Sequence, residues 1–313
     1  MLKNSAYFKY ITALLLFGSN GIVASFIDLN SHEIVLLRTF IGSLLLIILY
    51  TIVDKKHSMN AACRTNGRLA PEPSLFRKIR NNKKDLFCLT ISGMAMGTSW
   101  MFLYEAYAQI GVSLASLLYY CGPVIVILLS PLVFNEKLTS RKVLGFLAVL
   151  LGIFLVNGSN FNESSFFGIF CGIMSAVMYS LMVIFNKKAA AITGLENSTL
   201  QLLISFLTVA LFTGTKQGYH IQIAPSSIFP ILFLGLVNTG IGCCFYFSSI
   251  GRLPVHTVAI CGYLEPLSAV LFSVLFLHET LLFPQIVGAI LIIGGAIFAD
   301  PPVNHDNTAC FNQ

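Results

Sequence analysis

The stretch Tyr120-Cys121-Gly122-Pro123, continuing through Phe134-Asn135-Glu136-Lys137-Leu138 to Gly145 and Gly152, is written twice in this chain. The second copy reads Tyr263-Leu264-Glu265-Pro266, then Leu277-His278-Glu279-Thr280-Leu281, Gly288 and Gly295. The copies stand 143 residues apart and share one spacing, Y-x-x-P-x(12)-E-x-L-x(6)-G-x(6)-G. Six identities at fixed intervals over 33 residues mark an internal duplication. The halves fall at 1–160 and 161–300, followed by a short tail at 301–313.

Each copy is embedded in long apolar runs. Hydrophobic residues make up 56% of the 313 and charged residues 10%, against about 25% charged in a soluble domain. A soluble globule has no interior large enough for that much apolar surface, and disorder is excluded for the same reason. The net charge of +6 is confined to a few stretches rather than spread over a groove-facing patch, which excludes a nucleic-acid binder. Crossing a hydrocarbon core of about 30 Å takes roughly 20 apolar residues in a helix. Ten segments qualify, at approximately 8–27, 33–53, 86–105, 112–134, 142–158, 165–186, 198–214, 227–250, 255–278 and 282–299. None alternates polar and apolar positions as a membrane barrel strand does. The expected fold is an all-α polytopic membrane protein. The first segment is too long for a cleaved leader and reads as a retained signal anchor.

Five segments per half is an odd number, so the second half enters the bilayer from the opposite side. The halves are then inverted repeats, an arrangement that places a substrate site near the midplane between them. With the N-terminus in the cytoplasm, 17 of the 19 Lys and Arg residues fall on the cytoplasmic side, which the positive-inside rule favours. Only Lys216 lies outside, and Arg38 sits within a segment. This places both chain ends in the cytoplasm, with the protein in the plasma membrane. The loop at 54–85 carries nine basic residues and reads as a mobile cytoplasmic segment. It either touches anionic headgroups or simply fixes topology.

Polar groups inside the segments are the candidate site. Glu265 lies about ten residues into its segment, where a carboxylate is costly unless it meets water or a partner. It can bind a cationic or amine group, carry a coupling proton, or brace a neighbouring helix. Arg38 can hold a substrate carboxylate or phosphate, or it can pair with Glu105. Pro123 and Pro266 remove a backbone donor at matched points of the two halves and mark hinges. Tyr120 and Tyr263 stand one turn before them. Trp100, Tyr104 and Tyr107 form a stripe at i, i+4, i+7, suited to stacking on substrate or to facing a lipid interface. Asn20, Asn238 and Tyr246 complete the polar set. Glu136 and Glu279, at the segment ends, read as braces for the next helix. The pairs Gly93-x-x-x-Gly97 and Gly168-x-x-x-Gly172 favour internal packing seams and leave a homodimer open.

The paired motif ending in Glu136 and Glu279, together with Leu264-Glu265-Pro266-Leu267, resembles the drug/metabolite transporter superfamily, EamA type. Gly18-Ser19-Asn20 and Arg38 fit the small-polar and Arg positions of that family. The long 54–85 insertion and the lack of a second-half counterpart to Arg38 depart from it. The resemblance implies ten helices in two inverted five-helix repeats. It also implies a central cavity lined by helices 1, 3, 4, 6, 8 and 9, with helices 5 and 10 peripheral.

The functional expectation is a secondary carrier of small organic solutes such as amino acids, working by alternating access. No Gly-rich nucleotide loop is present to supply ATP as the driver. No cofactor is indicated, and a proton is a candidate coupling ion. A lipid-linked sugar flippase or a passive channel of the same architecture is the alternative. A membrane enzyme fits least, because the chain has no HExxH or GxSxG, and His278-Glu279 lacks a second His.

Overall fold

A computed structural model describes residues 2–64, 82–122, 140–157, 163–189, 194–216, 221–250 and 264–299, with a few residues between these blocks. Every regular element described is helical. In chain order they are α1 (Leu2–Gly18), α2 (Asn20–Ser25), α3 (Ser31–Arg64), α4 (Lys83–Ile110), α5 (Val112–Tyr119) and α6 (Ser140–Asn157). The second half holds α7 (Glu163–Lys188), α8 (Gly194–Lys216), α9 (Pro225–Leu232), a π-helical stretch (Phe233–Ile241), α10 (Gly242–Ile250), α11 (Leu264–Phe276) and α12 (Phe283–Ala299). Six spans are long and apolar enough to cross a membrane, namely α1 with α2, α3, α4, α7, α8, and α9 through α10. With the shorter α5, α6, α11 and α12 they make ten helical segments among the described residues, five in each half. One face of the bundle carries Ser31, Glu105 and Lys216. The opposite face carries Asp85, which accepts the Ala191 N–H at 2.7 Å.

The repeated glycines show how the halves join. A Cβ on Gly152 of α6 would lie 2.7 Å from the Gly288 carbonyl of α12. A Cβ on Gly295 of α12 would lie 2.8 Å from the Gly145 carbonyl of α6. The contact is reciprocal, as a two-fold relation between inverted copies requires. Helices in lipid gain no hydrophobic drive from meeting each other, so close backbone approach at small residues supplies the contact. The pairs Gly93/Gly97 and Gly168/Gly172 serve the same purpose inside the molecule. The first pair abuts Ile204 and Ser205 of α8, the second Ile110 and Leu118.

Several elements depart from the sequence reading. The first span is broken. Ser19 turns its hydroxyl back onto the Leu16 carbonyl at 2.8 Å, and the helix restarts at Asn20. The break coincides with a close approach, since a Cβ on Gly18 would lie 2.0 Å from Ser268 Oγ and 2.9 Å from the Glu265 carbonyl. The eighth span widens to π geometry over Phe233–Ile241. Pro230 removes a ladder donor three residues before that stretch, and Thr239 Oγ1 donates to the Leu234 carbonyl five residues back at 2.8 Å. Residues 54–64 are not a loop but the continuation of α3. Residues 65–81 and the 301–313 tail lie outside the described residues.

Glu279 does not brace the helix that follows it. Its Oε1 accepts the Val112 N–H at 2.8 Å and its Oε2 the Ser113 N–H at 3.0 Å. It therefore caps α5, in the other half, where free N–H groups and the helix dipole favour a carboxylate. Gly111, at φ +80°, makes the turn that exposes those donors, and a Cβ there would lie 2.9 Å from Glu279 Oε1. The start of α12 is instead served by Gln285, whose Oε1 accepts the Leu282 N–H at 2.8 Å. Glu136 lies outside the described residues.

Candidate functional site

The break in the first span and the π stretch in the eighth face each other. A π turn is wider than an α turn and is a frequent marker of functional positions. Here it aims two consecutive side chains into the bundle. Asn238 Nδ2 donates to the Leu16 carbonyl at 2.9 Å, to Ser19 Oγ at 3.0 Å and to Asn20 Oδ1 at 3.1 Å. One amide thus closes the broken end of α1 and orients Asn20. Thr239 Oγ1 accepts from Arg38 Nε at 3.0 Å.

Arg38 is almost wholly buried. Its Nη1 donates to the Tyr104 hydroxyl. Its guanidinium carbon stands 4.5 Å from the centroid of Trp100 and 5.0 Å from that of Tyr104, so two aromatic faces help hold the charge. Its Nη2 has no hydrogen-bond partner. The expected pairing with Glu105 does not occur. Glu105 accepts instead from Ser31 Oγ and from Gln109 Nε2. The reason is helical geometry. Tyr104 and Glu105 are neighbours in sequence and point about 100° apart on α4, so a side chain held by the first is turned from the second.

A cavity of about 100 Å³ opens beside this group. Arg38 and Trp100 form one wall, with Asn20 and Phe17 at the break of the first span. Glu265 and Ala269 of α11 form another. Tyr107, Tyr119, Tyr120, Tyr179 and Tyr246 make the rest largely aromatic, with Ser116, Leu103, Met96, Met182 and Cys243 between them. Tyr119 packs on Tyr120 at 5.3 Å and on Tyr179 at 5.1 Å between ring centroids. Tyr120 stands within hydrogen-bonding reach of the Glu265 carboxyl. Arg38 and Glu265 both face the cavity without forming an ion pair with each other. The lining comes from the first, third, fourth, sixth, eighth and ninth spans with Arg38 added from the second, while α6 and α12 pack against each other outside.

Of the residues expected from sequence, Asn20, Arg38, Trp100, Tyr120 and Glu265 meet at this cavity. Tyr104 and Asn238 do not line it. They stand behind it, Tyr104 holding Arg38 and Asn238 holding Asn20. Tyr263 and Pro123 lie outside the described residues. Pro266 falls at the third position of α11. Tyr119, Tyr179 and Met182 were not foreseen. The available signal for the last two was their i, i+3 spacing on α7, and for Tyr119 its place beside Tyr120.

Comparison with known proteins accords with this geometry. A model of the EamA-like transporter family matches residues 4–158 and again 166–299. The uncharacterized transporter YxxF of Bacillus subtilis (strain 168) is 23% identical over 303 residues, covering 94% of this chain and 88% of that protein. An uncharacterized transporter of Archaeoglobus fulgidus is 26% identical, covering 74% of this chain and 82% of that protein. A probable amino-acid metabolite efflux pump of Escherichia coli (strain K12) is 23% identical over 194 residues, covering 58% of this chain and 65% of that protein. One crystal structure superposes with a TM-score of 0.61 at 20% identity, covering 94% of this chain and 98% of the other, and it supports the fold.

Proposed function

The chain belongs to the EamA-like transporter family, and from that premise we propose that it is a secondary carrier of small zwitterionic solutes, amino acids or closely related metabolites. The observation behind this reading is a pair of opposite charges facing one small cavity without neutralising each other. Arg38 keeps Nη2 free of any protein partner, and Glu265 stands across the same space. A buried charged donor left unpaired is costly, and a solute carboxylate relieves it. An ammonium on the same solute meets Glu265 and the tyrosine hydroxyls around it. At about 100 Å³ the cavity lies below the range of roughly 300–1,000 Å³ typical of drug-sized ligands, which favours a small molecule.

Alternating access follows from the inverted repeats. Exchanging the conformations of the two halves carries the cavity from one face to the other. Glu265 is the group placed to carry a coupling proton. The basic stretches favour both chain ends on the cytoplasmic side of the plasma membrane. The name of the E. coli relative agrees with the substrate class.

The test is flux in proteoliposomes for an amino acid, its N-acetyl derivative and its carboxamide. The proposal expects flux of the parent and losses of tenfold or more, as an order of magnitude, for each blocked form. Equal flux of all three would remove Arg38 and Glu265 from recognition.

A further inference from the structure

A second hollow lies on the Lys216 side of the bundle and shares no lining residue with the central cavity. It is a groove of about 720 Å³ between the start of α3, the later half of α4, the start of α7 and the end of α8. Its walls are apolar, with Phe102, Phe167 and Phe212 prominent. Phe167 and Phe212 are also exposed on the outside of the bundle, so the groove runs out onto the surface that meets lipid tails. Its rim is polar and carries His32, Glu105 and Lys216.

The rim is unsatisfied in a particular way. His32 is only 7% exposed, yet its Nε2 has no hydrogen-bond partner. Its ring stands edge-on to Phe212 at 6.3 Å, and Lys216 Nζ lies 5.8 Å from the centroid of the same ring. Two nitrogens thus flank one aromatic ring at the mouth of an apolar groove. Glu105, on the α4 side, accepts from Ser31 and Gln109, and a carboxylate has about four acceptor positions, so capacity remains.

We propose that this groove is a binding site for a glycerophospholipid with a primary-amine headgroup. The phosphate sits between His32 Nε2 and Lys216 Nζ, the ammonium reaches Glu105, and an acyl chain lies along Phe102 and Phe167. The occupant must be amphipathic, because the groove is apolar and opens onto the tail region while its rim is charged. The rim offers an ammonium, an unpartnered imidazole nitrogen and a carboxyl group, the complement of a phosphate and an ammonium on one headgroup. A headgroup with phosphate alone leaves Glu105 unused. A quaternary amine offers Glu105 no N–H to donate.

The test uses the full chain, purified in detergent and stripped of lipid. Its thermal midpoint is followed while dioleoyl phosphatidylethanolamine, phosphatidylglycerol, phosphatidylcholine, dioleoylglycerol or inorganic phosphate is added. The amine lipid should raise the midpoint by on the order of 5 °C near saturation, more than each of the others. Lys216→Ala, at an exposed side chain, should weaken the amine lipid and phosphatidylglycerol alike by about tenfold. Glu105→Gln should weaken the amine lipid alone, to the level of phosphatidylglycerol. Neither variant touches the central cavity, so amino-acid binding to the detergent-purified protein should stay at the wild-type level, which separates this site from the transport reading. Equal shifts from all three phospholipids, a shift from dioleoylglycerol or phosphate matching the amine lipid, or variants that bind as wild type would overturn the proposal.

Discussion

Gly122 and Glu265 occupy the same position of the duplicated pattern and do opposite things. A Cβ on Gly122 would lie 2.5 Å from the Tyr179 ring, and its carbonyl accepts from Ser180 Oγ at 2.9 Å. It is a packing residue that lets α7 come close. Glu265 faces the cavity and places a carboxyl group in its wall. The third and eighth spans differ in the same sense. α4 is an uninterrupted helix of 28 residues that presents Trp100 and Tyr104, whereas its counterpart widens to π geometry and presents Asn238 and Thr239. Duplication has kept the frame, as the reciprocal glycines of α6 and α12 show, while the polar chemistry has diverged. On the proposed function, symmetry serves the motion and asymmetry serves recognition of a solute with two unlike ends.

The difference can be broken most forcefully at Arg38, which has no counterpart in the second half. Arg38→Met should lower the initial rate of amino-acid uptake in proteoliposomes by about 10- to 100-fold, the range for losing a charged hydrogen-bond donor. Arg38→Lys should restore little, because an ammonium lacks the fork that serves Tyr104, Thr239 and a ligand together. Glu265→Gln comes next, with about a tenfold loss of uptake and the loss of any stimulation by a pH gradient. Its mate gives a different outcome. Gly122→Ala should lower the thermal midpoint through the clash with Tyr179 and, because that ring also lines the cavity, lower uptake per folded molecule less than Glu265→Gln while leaving any stimulation by a pH gradient intact.

Two smaller effects sharpen the symmetric side. Gly152→Ala and Gly295→Ala each push a methyl into a backbone carbonyl across the seam. Each should cost about 1–3 kcal/mol in detergent unfolding, and the two should match because the contacts are reciprocal. Unequal losses would mean that the seam is not two-fold. Glu279→Gln should be the mildest change, at about 0.5–2 kcal/mol, since an amide keeps one acceptor for α5 but loses the charge.

The frame was legible because repeats and hydropathy are written along the chain. The spacing Gly145/Gly152 and Gly288/Gly295 announced a relation that the structure turns into a reciprocal contact. The broken first span was not legible. Leu14 to Ile27 carries no charge and reads as one span despite Gly18-Ser19-Asn20, and the turn at Ser19 depends on Gly18 meeting α11 and on Asn238 reaching across from the eighth span. The π stretch was hidden for a similar reason, because Pro230 signals a disturbance but not which side chains the wider turn will aim. Arg38 was recognised as important, and of the two partners the sequence left open, a solute anion or Glu105, the structure removes the second. Sequence distance places Tyr104 and Glu105 together, and only the rotation of α4 decides between them. Glu279 was read locally, whereas its partners Val112 and Ser113 lie 167 and 166 residues away.

Solute counterflow tests the central claim most directly. Proteoliposomes loaded with a high concentration of unlabelled amino acid are diluted into a trace of the labelled one. A carrier whose single site alternates between faces must give a transient overshoot of label inside, and Arg38→Met and Glu265→Gln should flatten it. A plain rise to equilibrium with no overshoot for any amino acid, or an overshoot that both variants reproduce in full, would contradict the account.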